Sequence, residues 1–114
     1  MSRRNPKARL LHMRDYAQKA VAMVEGQTRA SLDSDEKLRL ALTHLVELVG
    51  EAAGHVPAEI QAQYPEIPWP QAISMRHRLI HGYDFVDYDI LWDTITQSLP
   101  GLIAALDRIL EEEA

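Results

Sequence analysis

Cysteine is absent from this chain. Disulfide scaffolds, thiolate metal sites and cysteine nucleophiles are excluded together. The absence fits a reducing compartment, and a cytoplasmic location is expected. Nor does any segment approach the ~20 consecutive apolar residues that cross a bilayer, so no membrane association is expected. Arg3, Arg4, Lys7 and Arg9 stand near the start, but no apolar run follows them, so no signal peptide is expected. Positive charge is scarce: 12 Lys and Arg face 17 Asp and Glu, for a formal net charge of -5. That balance argues against a general nucleic-acid coat protein, which presents a basic surface. It leaves room for an enzyme with one small basic site, because a pocket is set by a few residues. Strand alternation, internal repeats and low-complexity tracts are missing as well.

What remains reads as one all-α domain spanning 1–114. Hydrophobic residues make up 46% and charged residues 25%, an ordinary globular balance. A chain of 114 residues buries roughly two thirds of its unfolded surface and needs no covalent staple. Asn5-Pro6 marks a helix start, followed by Leu10, Met13, Ala17, Ala20, Val21 and Val24 as one apolar stripe, with Gly26 at its fraying end. Asp33 opens the next helix, and Glu36 completes a capping box. Leu38, Leu42, Leu45, Val49, Ala52 and Val56 form the inner face, and Gly54 and Pro57 bracket its end. Residues 57–63 allow one or two helical turns. Pro65, Pro68 and Pro70 make a rigid connector. A helix from Pro70 to His81 is expected to stop at Gly82. The last helix runs over about 89–112, with Trp92, Ile95, Leu99, Leu102, Leu106 and Ile109 inside and Pro100 kinking it. About five helices with short connectors pack as an up-and-down bundle. The 111–113 glutamate run is a solvated tail.

Polar chemistry concentrates in Arg76-His77-Arg78-Leu79-Ile80-His81-Gly82-Tyr83. On a continuous helix His77 and His81 share a face. His81, in the last turn, would feel the negative end of the helix dipole. Tyr83 falls on the loop beyond. Cleaving RNA without a metal requires a group to deprotonate the 2′-hydroxyl, one to protonate the leaving oxygen, and a cation for the phosphate. Imidazole and guanidinium supply these functions near neutral pH. The plain alternative is a solvated helix end carrying cations that suit its dipole.

Other constellations are weaker. His77 and His81 lack the glutamate of a His-Glu-x-x-His metal pair, so neither a metal nor another cofactor is expected. His12, His44 and His55 stand singly and read as structural or exposed. Trp69 and Trp92 read as core anchors rather than stacking platforms. Asp33-x-Asp35 and Asp87-x-Asp89 lack the Gly-Ser dipeptide that would accompany nucleotidyl transfer.

Arg76, four residues, His81, Gly82 and Tyr83 resemble the Arg-(four to six residues)-His-x-Tyr signature of the HEPN superfamily and its HepT branch. The flanks agree: Ile67-Pro68-Trp69, Ile73, Met75, Leu79-Ile80, Val86-Asp87, Trp92, Ile95, Leu99-Pro100, and Val49-Gly50-Glu51-Ala52 upstream. The resemblance extends over nearly the whole chain and is weakest over the first thirty residues. It implies a homodimeric HEPN/HepT-like bundle whose two motif copies line one cleft and cut RNA without metal. Arg76 would then stabilise the phosphate, and His81 would be the general acid/base. His77 stands where the family usually has another polar residue, often Asn; it would help in catalysis or hold Arg76. Glu51 reads as a helix-surface glutamate or, as an auxiliary, a further polar group of the cleft. The resemblance further implies a toxin paired with an MntA-like minimal nucleotidyltransferase antitoxin, which attaches AMP to Tyr83. Two other readings remain open at this point. One is a non-catalytic nucleotide- or substrate-binding subunit of a nucleotidyltransferase complex, and the other is a purely structural dimeric bundle.

Overall fold

The computed structural model describes residues 6–81 and 85–113, with the backbone alone at 6, 80, 81 and 113. Helix α1 spans Pro6–Met23. Proline at the first position is pre-set for a helix, and its missing N–H would be unpaired there in any case. Asn5, the expected cap, lies outside the described residues. Leu10, Met13, Ala17 and Ala20 are buried, while Val21 and Val24 are half-buried at the edge of the core. The turn after α1 contains Gly26, whose φ of 75° is the left-handed conformation that glycine adopts without a Cβ penalty.

Two aspartates compete to cap the second long helix, and the expected capping box on Asp33 does not form. Asp33 lies inside a short helix α2, Ser31–Ser34, and its carboxylate sits 3.1 Å from Arg29. Asp35 is the cap instead: its Oδ1 accepts from the Leu38 amide at 3.0 Å, and helix α3 runs Glu36–Gly54. The reason is packing. The α2 turn buries Leu32 completely, and restarting at Asp35 still brings Leu38 and Leu42 inward. On α3 the inner face is Leu38, Leu42, Val46, Val49, Ala52 and Ala53; Leu45, expected inside, is only half-buried. The same guanidinium of Arg29 reaches Asp89, 60 residues away, at 2.7 Å. Those two carboxylates, Asp89 first, raise the Arg29 pKa.

Helix α4, Ala58–Gln63, follows Pro57 as expected. Trp69 is buried and its indole N–H donates to the Tyr64 carbonyl at 3.0 Å, so it is a core anchor. The single helix expected over 70–81 is instead two short ones, α5 (Trp69–Ile73) and α6 (Met75–Leu79), with Ser74 between them. After Leu79 the chain turns extended. Strand β1 (Ile80–His81) pairs antiparallel with β2 (Phe85–Val86), Ile80 opposite Val86 and His81 opposite Phe85. Gly82, the expected helix stop, lies outside the described residues.

The last helical stretch starts at α7, Tyr88–Asp93, one residue earlier than expected, with Asp87 as its cap. A π-helical turn, Thr94–Ser98, connects it to α8, Leu99–Glu113. Here the expected kink takes a different form. Pro100 has no N–H and its ring crowds the carbonyl four residues back. The helix widens just ahead of it, with the Leu99 amide donating to Thr94 rather than to Ile95. Leu91, Ile95, Leu99, Leu106 and Ile109 are fully buried, and Trp92 is half-buried.

Among the described residues the fold is all-α apart from that pair of two-residue strands. Helix α1 packs against α3 and α8, and α3 also carries α5, α6 and α7. Among the described residues no helix is long and apolar enough to cross a membrane.

Candidate active site

Helix α6 is short because only Met75 and Leu79 anchor it. These two, four residues apart, are buried; Arg76, His77 and Arg78 between them are exposed. With about 100° between successive side chains, the three polar side chains fan out over two sides. Arg76 and His77 face a cavity of about 430 Å³ against α3, which His44, Glu47, Gly50 and Glu51 also line. Arg78 borders a separate hollow with Asp93, Thr94 and Gln97.

Gly50 sets the spacing between α3 and the end of α5, from which α6 follows. A Cβ there would lie 3.2 Å from the Ala72 carbonyl oxygen and 3.4 Å from that of Ile73. Both neighbours are backbone oxygens, so a side chain at this position would need the backbone to give by a few tenths of an ångström. The close approach puts Arg76 Nε 3.6 Å from Glu47 Oε2. Arg76 remains 63% exposed and Glu47 30%, so the pair is worth about 1 kcal/mol or less. It steers the guanidinium rather than stabilising the fold.

His81 does not occupy a last helical turn. The helix ends at Leu79, and His81 lies in β1. The helix-dipole argument for its charge therefore falls away, and no continuous helix sets His77 and His81 on one face. The hairpin is closed by the Asp87 amide, which donates to the Leu79 carbonyl at 2.8 Å. The His81 side chain and all of Tyr83 lie outside the described residues. Glu51 is exposed on α3 and lines the cavity with Arg76 and His77.

Glu47 was not singled out from the sequence, and His44 reads there as structural or exposed, although a signal for both is present. Residues 44, 47, 48, 51 and 55 recur at helical spacing on the side of α3 away from its apolar stripe. Among the described residues, no group of three or more His, Asp or Glu is placed to hold a metal ion.

The family resemblance read from the motif is borne out by the proteins that this chain is similar to. The family described as Ribonuclease HepT-like matches residues 13–109. A protein of Caldanaerobacter subterraneus subsp. tengcongensis, provisionally named an RNase, is 30% identical over 96% of this chain and 98% of its own length. A protein of Thermococcus cleftensis named probable ribonuclease HepT is 31% identical over 86% of this chain and 92% of its own. A third, from Methanocaldococcus jannaschii and also provisionally named an RNase, is 27% identical over 98% and 93%. No solved structure matches. With the match running from within α1 to within α8, the chain belongs to the HepT-like ribonuclease family.

Proposed function

We propose that this protein is a metal-independent endoribonuclease, the toxin of a toxin–antitoxin pair, with Arg76 and His81 at the centre of its chemistry. The observation that carries the reading is an exposed guanidinium, Arg76, held at a polar cavity in a chain of this family, five residues before His81. Arg76 is open enough to leave Glu47 for a phosphate, and a guanidinium fork suits phosphate oxygens.

The reaction moves one proton off the substrate and one on. A base takes the proton of the ribose 2′-hydroxyl, and that oxygen attacks the adjacent phosphorus. The bond from phosphorus to the 5′-oxygen breaks, and an acid protonates the departing oxygen. A 2′,3′-cyclic phosphate and a 5′-hydroxyl result. His81 fills one of the two proton-transfer roles. A second copy of the chain in a homodimer supplies the other imidazole and a second guanidinium. His77 holds Arg76 or assists the proton transfer, and Glu51 adds a polar group to the cleft. Arg76 offsets the extra negative charge on the five-coordinate phosphate.

Silencing is assigned to a minimal nucleotidyltransferase that attaches AMP to Tyr83. Phosphates on that phenol would block the cleft and place negative charge where RNA phosphate must lie. The deciding experiment incubates the purified protein with total RNA in chelator, beside His81→Ala. Cut ends bearing 2′,3′-cyclic phosphate from the wild type alone are expected. Intact RNA with an unmodified wild type would overturn the reading. Mass spectrometry of Tyr83 after co-expression with the partner checks the silencing step: a mass increase of one or more AMP units is expected, and none would refute it.

A further inference from the structure

A second polar hollow, of about 180 Å³, adjoins the Arg76 cavity across α3. Arg9, His12 and Tyr16 from α1 and His55 from the end of α3 line it. Leu48 and Glu51 line both hollows, so the two form one groove running over the helix. From Glu47 to His55 that groove follows about 12 Å of helix axis. The three histidines that stand singly in sequence, His12, His44 and His55, all border it.

We infer that this groove is the track for the single-stranded RNA flanking the scissile bond, an inference that rests on the ribonuclease reading. Its charge order matches a strand. Arg76 stands at one end beside Glu47, the Glu51 carboxylate in the shared wall, and Arg9 in the far hollow. A phosphate is repelled at Glu51 and attracted at either arginine. A ribose is welcome at Glu51, where its 2′-hydroxyl donates to the carboxylate, the contact by which proteins tell RNA from DNA. The far hollow also offers rings for a base. His12 is exposed, Tyr16 is half-buried, and their centroids lie 6.2 Å apart at a 45° tilt. Bases stack on such side chains with little regard for sequence. The groove thus extends substrate contact from the reacting phosphate to its neighbours and confers preference for unpaired RNA.

The test uses His81→Ala as a cleavage-blocked background and a fluorescein-labelled single-stranded oligoribonucleotide, read by anisotropy. Adding Arg9→Ala with His12→Ala should weaken binding about tenfold, and Arg9→Lys should keep most of the affinity. Adding Glu51→Ala should shrink the preference for RNA over the matching DNA. Photo-crosslinking of the background protein to the same oligonucleotide carrying 4-thiouridine should label the segment 9–16. This readout needs no groove variant to fold. Unchanged affinity in the folded double variant, or crosslinks confined elsewhere, would overturn the track while leaving the ribonuclease intact if the wild type still cuts RNA. A double variant that turns a dimer into monomers would assign this face to a second copy instead. If the wild type cuts nothing and the background binds nothing, both readings fall.

Discussion

The amide of Asp87 donates to the carbonyl of Leu79 at 2.8 Å, tying the start of α7 to the end of α6. The Asp87 carboxylate meanwhile accepts from the amides of Asp89 and Ile90, both at 3.0 Å. One residue thus closes the hairpin that carries His81 and caps the helix that follows it. Asp87→Ala removes the cap but keeps the backbone bond. A stability loss of about 1 kcal/mol is expected by urea unfolding. RNA cleavage should fall by more than that loss implies, because the capped turn positions the His81 strand.

Gly50 tests the approach of α3 to α5 and α6. A methyl group at 3.2 Å from a backbone oxygen requires the helices to give by a few tenths of an ångström. Gly50→Ala is expected to cost about 1–3 kcal/mol, as overpacking does. It should also separate Arg76 from Glu47. Thermal melting reads the first effect, and kcat for RNA cleavage in the folded variant reads the second.

Arg76 and Glu47 should separate chemistry from stability. Arg76→Ala removes an exposed side chain, so melting should barely move, while cleavage should drop about 100-fold or more. Glu47→Gln keeps the shape and loses only the steering charge. A loss of about tenfold or less, in kcat rather than KM, is expected for it. Equal losses in the two variants would contradict the steering role.

Leu79 anchors the motif to the core with 0% of its surface exposed. Leu79→Ala should destabilise the protein by about 2–5 kcal/mol, from lost burial plus the cavity left behind. Differential scanning calorimetry would read this as a lower Tm. A change under about 1 kcal/mol would mean that α6 is not fastened in this way.

The sequence by itself determined the helical class, most of the core and the identity of the chemical groups. Stripes such as Leu10, Met13, Ala17 and Ala20 bury one face of a helix whatever it packs against. Glycine at 26 and Pro57 mark ends through backbone constraints that are local. The motif is equally local, since Arg76 and His81 are read from residue type and spacing. Tertiary structure decided what depends on competition and on distance. Asp33 and Asp35 are both competent caps, and only the burial of Leu32 together with Leu38 chooses between them. Residues 70–79 have helical propensity throughout, yet the helix breaks at Ser74 and ends at Leu79, where the hairpin offers the backbone other partners. Pro100 announced a disturbance, but the form it takes, a widened turn at Thr94–Ser98, follows from packing Ile95 and Leu99 on the same core. His44 and Glu47 meet Arg76 across a gap in sequence of about thirty residues because Gly50 lets two helices touch. A contact of that kind is set by the absence of a side chain on one helix and the carbonyls of another, and no local spacing encodes it.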